Sequence, residues 1–355
     1  MTRIFEYEES FHLESGELIN DLRVAYHTYG TYDPSRDNVV WVCHALTANS
    51  DVFDWWKGVF GEKDLFNPND HFIVCANILG SHYGTSGPLN TLKEEEPLLD
   101  HFPLVTTRDM AVAHDLLREH LGIEKIKVLI GASLGGQQAL EWSIAKPELI
   151  QQLILIATNA RHSAFGIAFN ESQRLAIFAD QTFGNGNVDG GRHGLITARS
   201  IAMLSYRSYE GYAKTQTNPG NHTTEEFLAA SYQRYQGEKL AKRFNAYSYV
   251  TLSRAMDGHN VGRKRPSVEI ALQQIKARTL IIGIESDLLF PVSEQVYLAE
   301  WIPEAFFGKI DSDFGHDGFL VENKQLTTLI SDFLLNDFKQ FRPTIFKTNT
   351  KQELL

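Results

Sequence analysis

Gly131-Ala132-Ser133-Leu134-Gly135 places a serine between two glycines in the pattern G-x-S-x-G. Where a strand precedes and a helix follows, that pattern makes a sharp turn and lifts the serine hydroxyl clear of the backbone. Both conditions are legible here: Lys127–Ile130 (KVLI) reads as a buried strand, and Gly136–Lys146 has helical spacing. In a chain with 26 glycines the bare pattern is moderate evidence, and its strand–turn–helix setting gives it force. Ser133 is therefore the candidate nucleophile. A serine nucleophile needs a base, and the base needs an orienting acid. Around such a turn the chain order is Ser, then Asp or Glu, then His. Asp287, in Glu285-Ser286-Asp287-Leu288-Leu289-Phe290-Pro291, and His316, in Phe314-Gly315-His316-Asp317-Gly318, each follow a predicted strand. Glu285 competes as the acid but reads as still on its strand, and Asp311 and Asp313 precede His316 too closely. Of the 13 histidines, His44 comes before the serine, and His162, His193 and His259 fall in the middle of the chain. The oxyanion of acyl transfer requires two backbone donors. The residue after the nucleophile, Leu134, supplies one, and the segment His44-Ala45-Leu46-Thr47-Ala48 after an early strand supplies the other, at Leu46.

Elements that put these residues on one edge are visible in the hydrophobic pattern. Val39–Thr47, Phe72–Ile78, Lys127–Ile130 and Leu153–Ala157 are short apolar runs of the kind buried on both faces of a parallel sheet. Thr107–Leu121 and Gly136–Lys146 alternate with them as helices. Asp109 is a candidate cap or first-turn acid for the first of these, and Gly122 a candidate stop. The pattern then changes to helical periodicity with Gly/Asn punctuation at Gly184–Gly194, and resumes with strands at Thr279–Ile284 and Phe306–Ile310 and helices at Ser293–Trp301 and Asn323–Asn336. The expectation is an α/β protein with a mainly parallel sheet flanked by helices. Residues 1–158 and 271–345 would form its core, 159–270 an inserted helical lid, and 346–355 a polar tail.

The 355 residues carry 33 Lys/Arg and 44 Asp/Glu, a net charge of −11, which argues against nucleic acid as a partner. No apolar run approaches the ~18 residues of a membrane span. The acidic start MTRIFEYEES lacks an apolar leader core. Cys43 and Cys75 both lie in apolar strand-like runs and read as reduced, buried thiols. A cytoplasmic protein with no metal site is expected. Residues 160–265 nonetheless hold 14 Lys/Arg against 8 Asp/Glu. That balance of +6 is either a solvated helical surface or a field for a polyanionic ligand such as the phosphates of coenzyme A.

With these residues assembled, the chain resembles the homoserine O-acetyltransferase family of α/β-hydrolase-fold acyltransferases, from about Phe11 to Phe333. The resemblance rests on several blocks: HALTANSD at His44–Asp51, NILGSHYGTSGP at Asn77–Pro88, GASLGGQQALEW at Gly131–Trp142, ARHSAFGIAFNESQR at Ala160–Arg174, ARSIAMLSYRS at Ala198–Ser208, RFNAYSYVTLSRAMD at Arg243–Asp257, SDLLFP at Ser286–Pro291 and GHDGFL at Gly315–Leu320. It implies α/β-hydrolase topology and a ping-pong transfer of acetyl from acetyl-CoA to L-homoserine in methionine biosynthesis. Acetyl-CoA would be a co-substrate, with no permanently bound cofactor. It places the family's nucleophile, acid and base on Ser133, Asp287 and His316, a substrate-binding arginine on Arg199 with Tyr206 near it, and an amine-binding aspartate on Asp317. It further implies a homodimer formed through the lid helices. Ala48 departs from the family's usual glycine and Leu134 from its common methionine. Succinyl transfer, serine as acceptor, and plain ester or thioester hydrolysis remain open at this level.

Overall fold

The computed structural model describes residues 1–90, 96–220 and 224–336, so the expected polar tail lies outside the described residues. Eight strands form the main sheet: β1 (Arg3–Tyr7), β2 (Leu22–Tyr29), β3 (Val39–Cys43), β4 (Phe72–Ala76), β5 (Ile126–Ala132), β6 (Ile150–Ile156), β7 (Arg278–Ile284) and β8 (Ala305–Ile310). Their order is β1-β2-β4-β3-β5-β6-β7-β8. β1 and β2 pair antiparallel, β2 runs antiparallel to β4, and all other neighbours are parallel.

Alternate residues of the central strands enter two separate cores, as a two-residue period requires. Trp41, Leu129, Leu153 and Ile281 face one side. Val42, Ile130, Ile154 and Ile282 face the other. Both faces are covered by helices, which is why these strands read as unbroken apolar runs. On the first side lie α1 (Thr107–His120) and α2 (Leu134–Ala145), with Trp41 edge-on to Trp142 at 5.0 Å between ring centres. Helix α1 opens with a capping box. Thr106 accepts from the Asp109 N–H, and the Asp109 carboxylate accepts from the Thr106 N–H. Asp109 is therefore a first-turn acid rather than the cap itself.

Between β6 and β7 the chain forms α3 (Ala164–Phe178), α4 (Arg192–Tyr206), α5 (Tyr209–Gln216), α6 (Leu228–Ala241) and α7 (Ala246–Asp257). The two ends of this segment pair with each other: His162 N–H donates to the His259 carbonyl and Val261 N–H to that of Ala160. Cations just beyond it bind the core. Arg265 and Arg108 both reach the buried Glu141 carboxylate of α2, and Arg263 and Arg108 both reach Glu14. After β7 come α8 (Val292–Trp301), β8 and α9 (Asn323–Leu334).

Several bounds differ from those read in the sequence. The run Val39–Thr47 leaves the sheet after Cys43, because the backbone turns into the loop that faces Ser133. Glu285 lies beyond β7, exposed and paired with Lys309. Helix α2 begins at Leu134, not Gly136. It has no polar face: every residue but Ala145 is buried, so its start carries no amphipathic signal. The antiparallel strands β1 and β2 are additions to the strands read from the sequence. β1 buries only Phe5 among its five residues, which leaves little apolar pattern to read.

Candidate active site

Sheet register brings the candidate residues to one edge. Cys43 is level with Gly131, Ala132 with Ile156, and Ile284 with Ile310. The loops after β3, β5, β7 and β8 therefore emerge side by side at the carboxyl ends of the parallel strands. Ser133 sits one residue past β5 with φ 56° and ψ −127°. A non-glycine residue at positive φ costs about 1–3 kcal/mol and persists only where its surroundings fix it. Here the fixing groups are visible. Ser133 N–H donates to the Ile156 carbonyl, and its own carbonyl accepts from Gly136 N–H, Gln137 N–H and the Thr158 hydroxyl. The flanking glycines are required by contact. A Cβ on Gly131 would collide with the Gly135 carbonyl oxygen, and one on Gly135 would collide with that of Cys43.

The Ser133 hydroxyl lies 2.9 Å from His316 Nε2, and His316 Nδ1 lies 2.7 Å from Asp287 Oδ2. The other Asp287 oxygen accepts from the backbone N–H groups of Leu289 and Phe290 at 2.8 and 2.9 Å, which holds the carboxylate in place. The two loops are stitched together by Ser286, whose hydroxyl donates to the Ser312 carbonyl and accepts from Gly315 N–H. His316 stacks on Phe290 at 5.1 Å. Burial alone would pull its imidazole pKa down. The charge of Asp287, its hydrogen bond and then the charge of Asp317 outweigh that, and the net shift is upward.

The competing residues lie elsewhere. His44 is fully buried and its Nε2 accepts from the Ile78 N–H at 3.1 Å, bracing the loop after β3; burial lowers its pKa to about 4. His259 bridges Thr107 and the Asn159 carbonyl, His162 packs beside Phe290, and His193 is exposed. Asp313 pairs with Lys214.

A cavity of about 300 Å³ opens over Ser133 and His316, and its wall includes Leu46, Arg199, Tyr206 and Asp317. Leu134 N–H is at the first position of α2, where a helix leaves its N–H groups without internal acceptors. Arg199 lies over the Tyr206 ring at 5.1 Å, and that ring is 5.7 Å from the His316 ring. Asp317 is already paired: Arg207 Nε lies 3.1 Å from its Oδ2. Arg207 is a site residue that the sequence reading misses, although it directly follows Tyr206. So are Lys239 and Arg243, which, unlike Arg207, line the cavity itself. Arg243 donates to the Thr47 carbonyl at 2.5 Å and to the Tyr83 hydroxyl at 2.6 Å. For Lys239 the one sequence signal is the excess of positive charge in this stretch, whereas Arg207 and Arg243 lie within the family-like blocks Ala198–Ser208 and Arg243–Asp257. Among the described residues no group of three or more His, Cys, Asp or Glu is arranged to hold a metal ion.

A serine on a strand–helix turn, facing an imidazole and a carboxylate from the ends of β8 and β7, defines an α/β-hydrolase-fold protein. The sequence pattern of the alpha/beta hydrolase fold matches residues 38–323. Within that fold, the chain belongs to the homoserine O-acetyltransferase family. It is 44% identical over 335 residues to the homoserine O-acetyltransferase of Cyclobacterium marinum, covering 94% of this chain and 95% of that one. It superposes on the crystal structure of the homoserine O-acetyltransferase from Staphylococcus aureus with a TM-score of 0.79 at 30% identity, over 96% of each chain. It also superposes on esterase E22 with a TM-score of 0.84 at 21% identity, over 94% of this chain and 99% of that one, a likeness of fold alone.

Proposed function

We propose that this protein transfers an acetyl group from acetyl-CoA to the side-chain hydroxyl of L-homoserine, through an acyl-enzyme on Ser133. The observation that carries the reading is one cavity holding the Ser133 hydroxyl, a cation at Arg199 and an anion at Asp317. An amino-acid acceptor presents the complementary carboxylate and ammonium. In the first half-reaction Ser133 Oγ attacks the thioester carbonyl and His316 Nε2 takes its proton, while Asp287 holds the imidazole with Nε2 toward the serine. The N–H groups of Leu46 and Leu134 receive the oxyanion. The C–S bond breaks, His316 gives its proton to the departing sulfur, and the CoA thiol leaves. In the second half-reaction the acceptor hydroxyl gives its proton to His316 and attacks the acyl carbon. Ser133 Oγ then leaves as the proton returns to it.

Arg199 suits the acceptor carboxylate as a planar fork, with its guanidinium fixed over Tyr206. Asp317 suits the ammonium, with Arg207 ion-paired to one of its two oxygens. Acetyl-CoA is a substrate in this scheme, and no resident cofactor takes part. A homodimer is also proposed, formed through the helices between β6 and β7. These helices leave large apolar residues uncovered, among them Phe165, Leu175 and Leu204, each more than half exposed. No helix among the described residues is long and apolar enough to cross a membrane, and the site of action proposed is the cytoplasm.

The test is an assay crossing acetyl-CoA and succinyl-CoA with homoserine and serine, with Ser133→Ala as control. Acetyl transfer to homoserine should dominate, and the variant should lose several orders of magnitude in rate. Free acetate released at the same rate with or without homoserine would mark a hydrolase instead. Activity of Ser133→Ala within about tenfold of the unmodified protein would remove Ser133 from the reaction.

A further inference from the structure

Some cations of the inserted helices are held by carboxylates and others are not. Arg174, Arg192, Arg207 and Lys214 are each paired with a carboxylate. Lys239, on α6, and Arg243, just beyond it, are exposed, line the cavity over Ser133, and have no carboxylate within ion-pair distance among the described residues. Four residues apart, they lie along one side of the helix and its exit. Arg243 is also fixed in place, because its guanidinium donates to the Thr47 carbonyl and the Tyr83 hydroxyl. Thr47 directly follows Leu46, so this cation stands beside the oxyanion loop. Arg199 belongs to a different place, against Tyr206 and through it His316. The cavity thus carries one cation near the base, a second fixed against the loop at Thr47, and a third, Lys239, elsewhere on its wall. Asp54 and Asp317 are the opposing charges on the wall, two carboxylates against the three cations Arg199, Lys239 and Arg243, and Asp317 is itself paired with Arg207. In a chain of net charge −11, a cavity wall with an excess of cations is a local reversal of field.

We propose that Lys239 and Arg243 form a docking site for the phosphates of the thioester donor. An organic diphosphate would bind there, with its pantetheine arm running past Thr47 and Leu46 to Ser133. A fixed guanidinium is pre-organised for phosphate oxygens, and the lysine adds a mobile point charge beside it. The donor and the amino acid then use separate cations of one cavity, so the acceptor is able to enter once the CoA thiol has left. This inference rests on acetyl-CoA being the donor.

The test compares acetyl-CoA with S-acetylpantetheine, which has the same thioester and arm but no phosphate, in the full chain with homoserine as acceptor. The quantity read is the ratio of kcat/KM for the two donors. Lys239→Glu should lower that ratio by about tenfold or more, carried by KM for acetyl-CoA. Arg243→Gln should do the same, and Arg243→Lys should recover part of the loss. Raising the salt concentration should erode the ratio in the unmodified protein more than in Lys239→Glu. A ratio unchanged in both Lys239→Glu and Arg243→Gln, with acetyl-CoA still used by the unmodified protein, overturns the phosphate site and leaves the donor assignment standing. Failure of the unmodified protein to use acetyl-CoA at all overturns both.

Discussion

His316 is where burial and charge compete most directly. Burial favours the neutral ring, whereas Asp287, by charge and by hydrogen bond, and then Asp317 favour the charged one, and together they win. An ordinary histidine titrates near ~6.5. In the proposed acylation His316 accepts the proton and must be neutral, so the acid limb of the acylation rate should lie above that value and activity should fall as pH drops through it. Asp287→Asn removes the largest of the raising influences. Its limb should move to lower pH, and its rate should drop by about 10⁴, since the imidazole also loses the partner that fixes its tautomer. Single-turnover acylation measured across the histidine range in both proteins reads the two effects separately. A limb that stays in place in Asp287→Asn would show that another group sets it.

At the scale of elements, the turn into α2 depends on backbone proximity. Gly135→Ala would drive a methyl group into the Cys43 carbonyl oxygen, and that atom belongs to the central strand β3. Neither side yields cheaply, so the expected cost is about 1–3 kcal/mol or more of stability, with a larger fractional loss of acylation because Ser133 and Leu134 move with the helix. Gly122→Ala makes the contrast. That glycine has φ 67°, and an added methyl would meet nothing within 4 Å. The expected cost is then only the left-handed penalty of about 1–2 kcal/mol, with acylation retained. Thermal melts and acyl-enzyme formation for the two variants check the pair. The same comparison explains what the sequence makes legible. G-x-S-x-G, SDLLFP and FGHDG mark places where chemistry and tight backbone coincide, so Ser133, Asp287 and His316 can be read in order from strand ends. Arg207, Lys239 and Arg243 act across elements distant in sequence, and no local spacing announces which helical cation will face a cavity. β1 escapes for a related reason: it lies at the sheet edge with one buried residue, and its pattern is that of a surface segment.

At the scale of the molecule, the helices between β6 and β7 both roof the cavity and present apolar side chains outward. Tyr209 is 82% exposed and Leu175 57%. A dimer joined through these helices would cover them. Light scattering should therefore give twice the 40.1 kDa chain mass, and Leu175→Glu with Leu204→Glu should shift it toward one chain. A single-chain mass in the unmodified protein at micromolar concentration would remove the dimer from the proposal.

The order of the strands has one more consequence, for the chain while it is being made. β6 leaves the sheet at Ile156, and its parallel neighbour β7 starts only at Arg278, beyond the whole helical segment. A nascent chain that has emerged only through α7 holds Ser133 on a sheet whose growing edge, Leu153 to Ile156, is apolar and unpaired. It possesses neither Asp287 nor His316. The proposed nucleophile is thus present well before the groups proposed to activate it, and the bare edge invites pairing with another chain until β7 arrives. The time between the emergence of β6 and that of β7 sets how long this edge stays bare, so synonymous changes that alter ribosome speed between residues 157 and 278 should change the yield of folded protein without altering a single side chain.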